Sequence, residues 1–354
     1  MLVYLSVASL IIIGGSIFYK EEKPARGTGI FYVVLTLILG LRAEMSTDHS
    51  GYLRIFNMIS ATDFENVIKG EFQQEKGFMI LNKLISFIST SPVFYALVIA
   101  AITLGFYFLV FRKRTNISWL AILLFFVAGE FFESFNLMRQ VLAASICLYA
   151  TKYINQKKTD FFKFVFFVLM AASMHTSAFV MIPAYFIMKL KFTRRTLLVY
   201  GITGIASYLF LPSLINLFTR FLTRYTSYKE YETLNANINY ILPIIAMFVF
   251  VMACVFIFKV DFDQDNYDNR VILHGAAIAV ILAIVGTKMF MAYRMALYFK
   301  AFAIMGSVNV IGNIKNSKNK VIFVFATAAA AIAYLIVTMS ESPYSPYILH
   351  SSLL

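Results

Sequence analysis

Apolar runs of 13 to 21 residues recur from one end of the chain to the other, separated only by short polar stretches. Runs of this length are typical of helices in a lipid bilayer, and the stretches between them leave no room for a separate soluble domain. A mean hydropathy of +0.76 and 37 Phe among 354 residues also lie outside the range of soluble proteins. The sequence therefore predicts a single, all-α integral membrane domain over residues 1–354.

Six short stretches rich in Lys and Arg interrupt the apolar runs. They lie at 20–26, 112–114, 152–158, 189–195, 259–270 and 315–320. Because short basic loops face the cytoplasm, neighbouring stretches must enclose an even number of crossings. This predicts about 12 transmembrane helices with both termini outside and outer loops near 43–76 and 218–238. The same rule favours two short helices within 161–188 that turn at His175. The segment 77–90 is apolar on one side only, which predicts an interfacial or re-entrant half-helix.

The net charge of +13 follows from these basic loops and does not indicate nucleic acid as a partner. Cys147 and Cys254 lie inside apolar runs without ligand-like neighbours, so they are predicted to be packing residues. His49 beside Asp48 has no second ligand at a suitable spacing. We therefore expect no metal and no cofactor.

Five clusters of polar residues fall near the ends of apolar runs, and the predicted topology puts all five on the outer side. They are Arg42 with Thr47, Asp48 and Tyr52; Glu75 with Phe78; Asn136 with Arg139 and Gln140; His175 with Ser177; and Arg294 with Tyr298. Ionisable groups at membrane depth are costly unless they face a cavity or a partner. Their shared side predicts one polar cavity that opens outward.

The arginines are candidates for binding an anion. Arg139 and Arg294 are each predicted at the start of a helix, where forked donors add to free backbone N–H groups, and Arg42 is expected to converge on the same anion. Asn136 is the predicted N-cap of the helix that carries Arg139. The simpler alternative is that the arginines pair with nearby glutamates or reach lipid headgroups.

His175, Asp48 and Glu75 are the candidate general bases. A histidine suits this role because its pKa lies near neutral pH, and the two carboxylates lie in predicted outer segments. The alternative for His175 is a turn histidine hydrogen-bonded to the backbone or to Ser177. The sequence leaves the choice among these groups open.

In order and approximate spacing, these residues resemble the motifs of the EpsG-type, Wzy-like family of bacterial exopolysaccharide and O-antigen polymerases. The matching positions are Arg42, Thr47, Asp48 and Tyr52; Glu75, Gly77 and Phe78; Asn136, Arg139, Gln140 and Ala143; His175, Ser177 and Ala178; and Arg294, Tyr298 and Phe299. The resemblance covers about 42–299.

The resemblance implies a glycosyltransferase of the bacterial inner (plasma) membrane that joins undecaprenyl-pyrophosphate-linked oligosaccharide repeats into O-antigen, capsule or exopolysaccharide. Its active site would face the periplasm or the cell exterior. Lipid-linked donor and acceptor would be its substrates, membrane lipid its surroundings, and a chain-length regulator protein and a flippase its partners. Under this interpretation the substrate-binding residues are Arg42, Tyr52, Asn136, Arg139, Gln140, Ser177, Arg294 and Tyr298.

Two other functions stay open at this level. One is a transporter or flippase that moves the same lipid-linked sugar without changing it. The other is a membrane acyltransferase that modifies the glycan and needs an acyl donor.

Overall fold

The structure is a computed structural model that describes residues 1–20, 24–43, 47–70, 72, 74–155, 157–210, 238–263, 266–340, 342 and 344–350. These residues form an all-helical fold whose one β-type contact is an isolated bridge between Arg42 and Leu349. The first nine helices are α1 Leu2–Lys20, α2 Pro24–Gly40, α3 Thr47–Ala61, α4 Phe64–Lys69, α5 Lys76–Ser86, α6 Pro92–Arg114, α7 Ser118–Val127, α8 Glu130–Asn136 and α9 Met138–Ala150. The others are α10 Lys158–Ala172, α11 Met181–Met188, α12 Arg194–Leu209, α13 Ile238–Phe256, α14 Tyr267–Gly286, α15 Phe290–Ala296, α16 Lys300–Gly312 and α17 Ser317–Ser340.

Helix α6 shows how the sequence sets the limits of a long helix. Ser91 caps it by accepting a hydrogen bond from the Phe94 N–H, and Pro92 fits the first helical position because its missing N–H is not needed there. The helix ends after three basic residues, where Thr115 adopts an extended backbone. Its 23 residues are long enough to cross the hydrocarbon core of a bilayer.

Four helices in the described residues, α1, α6, α14 and α17, are long and apolar enough to cross a membrane. The number rises to six if the pairs α7–α8 and α15–α16, bent by 48° and 47°, each count as one crossing. The described residues therefore do not support the predicted twelve. Several apolar runs taken as crossings form short helices, such as the 13 residues of α9. At about 1.5 Å per residue, such a helix spans roughly 20 Å of a core about 30 Å thick.

Other expectations from the sequence fare differently. The first and last apolar runs form α1 and α17, and the turn predicted at His175 separates α10 from a 3₁₀ turn, Thr176–Val180, that leads into α11. The predicted half-helix is α5, which has 11 residues and buries Phe78 and Ile85 while Ile88 beyond it is exposed.

The segment predicted as an outer loop at 43–76 is largely helical. It contains helices α3 and α4, because apolar residues at helical spacing in an otherwise polar segment give α3 a buried face, with Leu53, Phe56 and Ile59. The predicted outer loop at 218–238 lies outside the described residues as far as 237.

Aromatic side chains make up much of the core, and the chain termini are part of it. The ring of Tyr344 lies 5.1 Å from that of Phe135, and Tyr4 donates a hydrogen bond to the Tyr344 carbonyl at 2.6 Å. The backbone of Ala43 donates to Ile348 at 2.8 Å. The C-terminal segment therefore joins α1, α8 and the residues after α2. Cys147 and Cys254 are buried free thiols, as predicted for packing residues.

Candidate functional site

Glu75, directly before α5, connects three segments that are distant in sequence. Its Oε1 accepts hydrogen bonds from the backbone N–H of Thr176 at 2.8 Å and from the Thr176 hydroxyl at 2.7 Å. Its Oε2 forms an ion pair with Arg139. Beside it, the Phe78 N–H donates to the carbonyl of Ser173 at 3.0 Å. These contacts fix the start of α5 against α9 and the 3₁₀ turn.

Arg139 is the second residue of α9, so the sequence correctly placed it at a helix N-terminus. Its guanidinium carbon lies 5.8 Å from the centre of the Tyr52 ring and 5.7 Å from that of Phe78, within cation–π range. The side chains of Arg139 and Glu75 are each 20% exposed, so the ion pair is partly desolvated yet accessible to a ligand.

The predicted N-cap of this helix is wrong. Asn136 ends α8, and Leu137 intervenes between the two helices with no side-chain hydrogen bond to cap α9. An Asn shortly before an apolar run is typical of an N-cap, but the sequence did not show that another helix, α8, ends at this Asn. The amide oxygen of Asn136 is buried and has no hydrogen-bond partner among the described residues.

His175 lies at the turn after α10 and is held by Ser177. Its Nδ1 is 3.3 Å from the Ser177 backbone nitrogen and 2.7 Å from the Ser177 hydroxyl, which in turn is 2.8 Å from the Tyr298 hydroxyl. A backbone N–H can only donate, so Nδ1 is the acceptor and the neutral ring carries its proton on Nε2. His175 therefore presents a hydrogen-bond donor at Nε2.

The charges around this site set its protonation states. Burial lowers the pKa of His175 to about 4; Glu75 opposes this shift, while Arg139 and Arg294 add to it. Burial alone would raise the pKa of Glu75, but the hydrogen bonds from Thr176 and the charge of Arg139 outweigh it and lower that pKa. At neutral pH the histidine is uncharged and Glu75 is a carboxylate.

Arg294 is held by Gln140 through two hydrogen bonds. The Gln140 Nε2 donates to the Arg294 carbonyl at 2.8 Å, and the Arg294 Nε donates to Gln140 Oε1 at 3.0 Å. No described residue accepts a hydrogen bond from the two terminal nitrogens of Arg294. The residue lies in the last turn of α15 and not at the start of a helix, so that prediction is wrong. Its guanidinium is fixed at one edge and available at the other.

A model of the EpsG family matches residues 28–349. The chain belongs to the EpsG family. No match was found among curated proteins or among solved structures. The matched range contains every residue of the site described above. Together with the apolar helices, membership indicates a membrane protein with a polymerase type of role in polysaccharide synthesis.

In this EpsG-family chain, Arg42 does not join the other two arginines. It is buried, donates through Nη1 to the Leu39 carbonyl and through Nη2 to that of Phe135 at 3.2 Å, and lies 4.7 Å from the centre of the Phe135 ring. Burial lowers the pKa of Arg42 to about 10, so it remains charged at neutral pH. Its two terminal nitrogens bind backbone carbonyls, which suits a structural role at the end of α2.

Asp48 is exposed in the first turn of α3. Within the described part of the chain, no hydrogen bond or ion pair connects it to Glu75, Arg139 or His175. Of the three candidate bases, the structure therefore brings together Glu75 and His175, and it leaves Asp48 outside this contact network.

A second polar network lies where the two bent helix pairs of this EpsG-family chain break. Lys300 donates to the Tyr293 hydroxyl at 2.7 Å and lies 3.6 Å from Glu133, which accepts a hydrogen bond from Tyr293. Tyr107 donates to Glu130 at 2.8 Å. Glu130 and Glu133 therefore contact tyrosines and Lys300, and they are not the partners of the candidate arginines. In the sequence, Lys300 is a lone lysine in an apolar run. Its place in this network was not predicted, because the sequence around it does not show that Glu133 is its partner.

Proposed function

We propose that this chain is a membrane glycosyltransferase that polymerises undecaprenyl-pyrophosphate-linked oligosaccharide repeats into a surface polysaccharide, such as O-antigen, capsule or exopolysaccharide. The observation that carries the proposal is the convergence of the Glu75–Arg139 pair, His175 and Arg294 from four separate segments of the chain. The enzyme acts in the bacterial inner (plasma) membrane, with its site facing the periplasm or the cell exterior.

Arg139 and Arg294 bind the pyrophosphate of the donor. Planar guanidinium groups match phosphate oxygens with two donors each, and the terminal nitrogens of Arg294 are available for this purpose. Arg139 meets the pyrophosphate by exchanging its partner Glu75 for a phosphate oxygen. Positive charge held at this position stabilises the negative charge that develops on the leaving group.

Glu75 is the proposed base. Hydrogen bonds from Thr176 and, to a smaller extent, the charge of Arg139 lower the pKa of Glu75, so the paired carboxylate is a weak base. When the pyrophosphate draws Arg139 away, Glu75 loses a positive partner and becomes more basic. It then accepts the proton of the acceptor hydroxyl as that oxygen bonds to the anomeric carbon. The bond from this carbon to the pyrophosphate oxygen breaks, with inversion, and undecaprenyl pyrophosphate leaves.

His175 serves as a donor in this scheme. The proton on Nε2 allows it to donate a hydrogen bond to an oxygen of the leaving pyrophosphate, and Ser177 with Tyr298 fixes the ring orientation. A general-base role would need an unprotonated Nε2, which the Ser177 backbone N–H at Nδ1 disfavours.

An apolar cavity supports a lipid-linked substrate. It lies between α7, α13, α16 and α17 and has a volume of about 740 Å³, with Leu242, Phe250 and Val337 among its lining residues. Such a cavity between apolar helices suits an isoprenoid chain.

A flippase is the second candidate, because the two bent helix pairs with buried charges resemble the broken helices that line transport sites. Purified protein in vesicles, given lipid-linked repeats, separates these functions. We expect glycan chains of two or more repeats without any nucleotide sugar. Translocation with unchanged chain length would refute the polymerase and favour the flippase, and a modified glycan formed only with acyl-CoA would indicate an acyltransferase.

A further inference from the structure

Two adjoining cavities lie at the basic end of helices α2 and α6, away from the candidate active site. Their volumes are about 240 Å³ and 130 Å³, and Thr28 and Arg112 line both of them. The larger cavity is a mostly apolar groove between α2 and α6, where Gly29, Tyr32 and Gly105 contribute to its walls. Arg112 lies at the boundary between this groove and the smaller cavity, because it lines both.

The groove lies where Gly29 on α2 and Gly105 on α6 lack side chains to fill the space between the two helices. At the far end of α2 a methyl group added to Gly40 would lie 2.6 Å from the Leu97 side chain, so the helices are in close contact there. The same addition at Gly29 would meet nothing within 4 Å. Tyr32 donates to the Ala101 carbonyl at 2.9 Å and joins the two helices between these points.

Of the three basic residues that end α6, only Arg112 lines the groove. The side chain of Arg114 is only 6% exposed and forms a salt bridge with Asp268 at 3.1 Å. Lys113 is exposed and lines neither cavity. Arg112 is also exposed, and among the residues whose side chains the structure describes it is the charged one that lines both cavities. The smaller cavity adds polar side chains and Trp119, a residue type enriched at the membrane interface.

We propose that this paired cavity binds an anionic phospholipid of the leaflet next to the basic loops. One acyl chain lies in the groove along Gly29 and Gly105, Arg112 binds the phosphate, and the headgroup enters the smaller cavity. Apolar space joined to a basic mouth between membrane helices is the arrangement that recognises anionic lipid headgroups. The site is separate from the proposed glycosyl transfer and does not depend on it.

The test uses the full chain, purified in detergent and titrated with phosphatidylglycerol or phosphatidylcholine while bound lipid is counted by native mass spectrometry. We expect phosphatidylglycerol to bind about tenfold more tightly than phosphatidylcholine. Arg112→Gln should remove that preference, whereas the neighbouring Lys113→Gln should keep it. Gly29→Leu should fill the groove and weaken binding of both lipids. Gly51→Leu is its control, because that position on α3 also meets nothing within 4 Å and lines neither cavity.

Four results would overturn the proposal. Equal affinity for the two lipids would remove the headgroup site, and equal losses in Arg112→Gln and Lys113→Gln would reduce it to general surface charge. Competition by inorganic phosphate as strong as that by phosphatidylglycerol would indicate a small-anion site. Displacement of phosphatidylglycerol by lower concentrations of undecaprenyl phosphate would assign the groove to a substrate lipid. Thermal melting of each variant verifies that it is folded.

Discussion

Gly77 allows the closest approach between the elements that build the candidate site, and we predict that Gly77→Ala strongly reduces polymerisation. A Cβ added at this residue would lie 2.2 Å from the hydroxyl oxygen of Ser173, 2.5 Å from its Cβ and 2.8 Å from its carbonyl oxygen. The hydroxyl can rotate away, but the Cβ and the carbonyl cannot. The start of α5 must therefore move away from the turn after α10.

The structure sets the size of the effect. A movement of roughly 1 Å is needed to restore ordinary van der Waals contact. The bonds from Thr176 to Glu75, at 2.7 Å and 2.8 Å, would then exceed about 3.5 Å and be lost. Misplacement by about 1 Å at a reacting centre costs roughly a hundredfold in rate. We expect kcat/KM to fall about a hundredfold, equivalent to ~2.7 kcal/mol in transition-state stabilisation.

The assay is the initial rate of glycan elongation by purified protein supplied with lipid-linked repeats. Gly51→Ala is the matched control, because this neighbouring glycine on α3 meets nothing within 4 Å, and its rate should be unchanged. Ser173→Gly removes two of the three clashing atoms and should partly restore the rate of Gly77→Ala. A Gly77→Ala enzyme as fast as wild type would refute the close packing, as would an equal loss in Gly51→Ala.

Three further outcomes are expected. Lys300→Met leaves Glu133 without its cation and should destabilise the protein by about 3 kcal/mol, measured by thermal melting. Adding Glu133→Gln should recover most of this loss of stability, and no recovery would contradict the charge pairing. Because burial lowers the folded pKa of His175 to about 4 from 6.5, thermal stability should fall as the pH drops from 6.5 to 4, and this fall should shrink in His175→Asn. Arg42→Lys should lower the melting temperature while KM for the lipid-linked donor stays the same; a large rise in KM would return Arg42 to the binding site.

The parts of the fold that were predictable follow from local composition. Long apolar runs predicted α1 and α17, and the basic stretches on both sides of 161–188 predicted the turn at His175. The position of Arg139 at a helix N-terminus was also predictable, because a polar cluster precedes an apolar run there. In each case the decisive residues are neighbours in the sequence.

The features that were not predictable depend on distant contacts. Apolar composition does not show where a helix bends, so the bends of 48° after α7 and 47° after α15 were not predicted. The partner of Glu133 is Tyr293, which is 160 positions away, and a single sequence gives no sign of such a pair. The inward orientation of Arg42 toward two carbonyls has the same cause: charge type alone does not say which acceptor a side chain meets.

The most direct test of the proposed site compares two ion pairs in the same elongation assay. Glu75–Arg139 is partly buried in the candidate site, whereas Glu65–Lys69 is a similar pair on the exposed surface of α4. Glu75→Gln and Arg139→Gln should each abolish glycan lengthening in folded protein, while Glu65→Gln and Lys69→Gln should leave the product ladder unchanged. A normal ladder from Arg139→Gln would contradict the account.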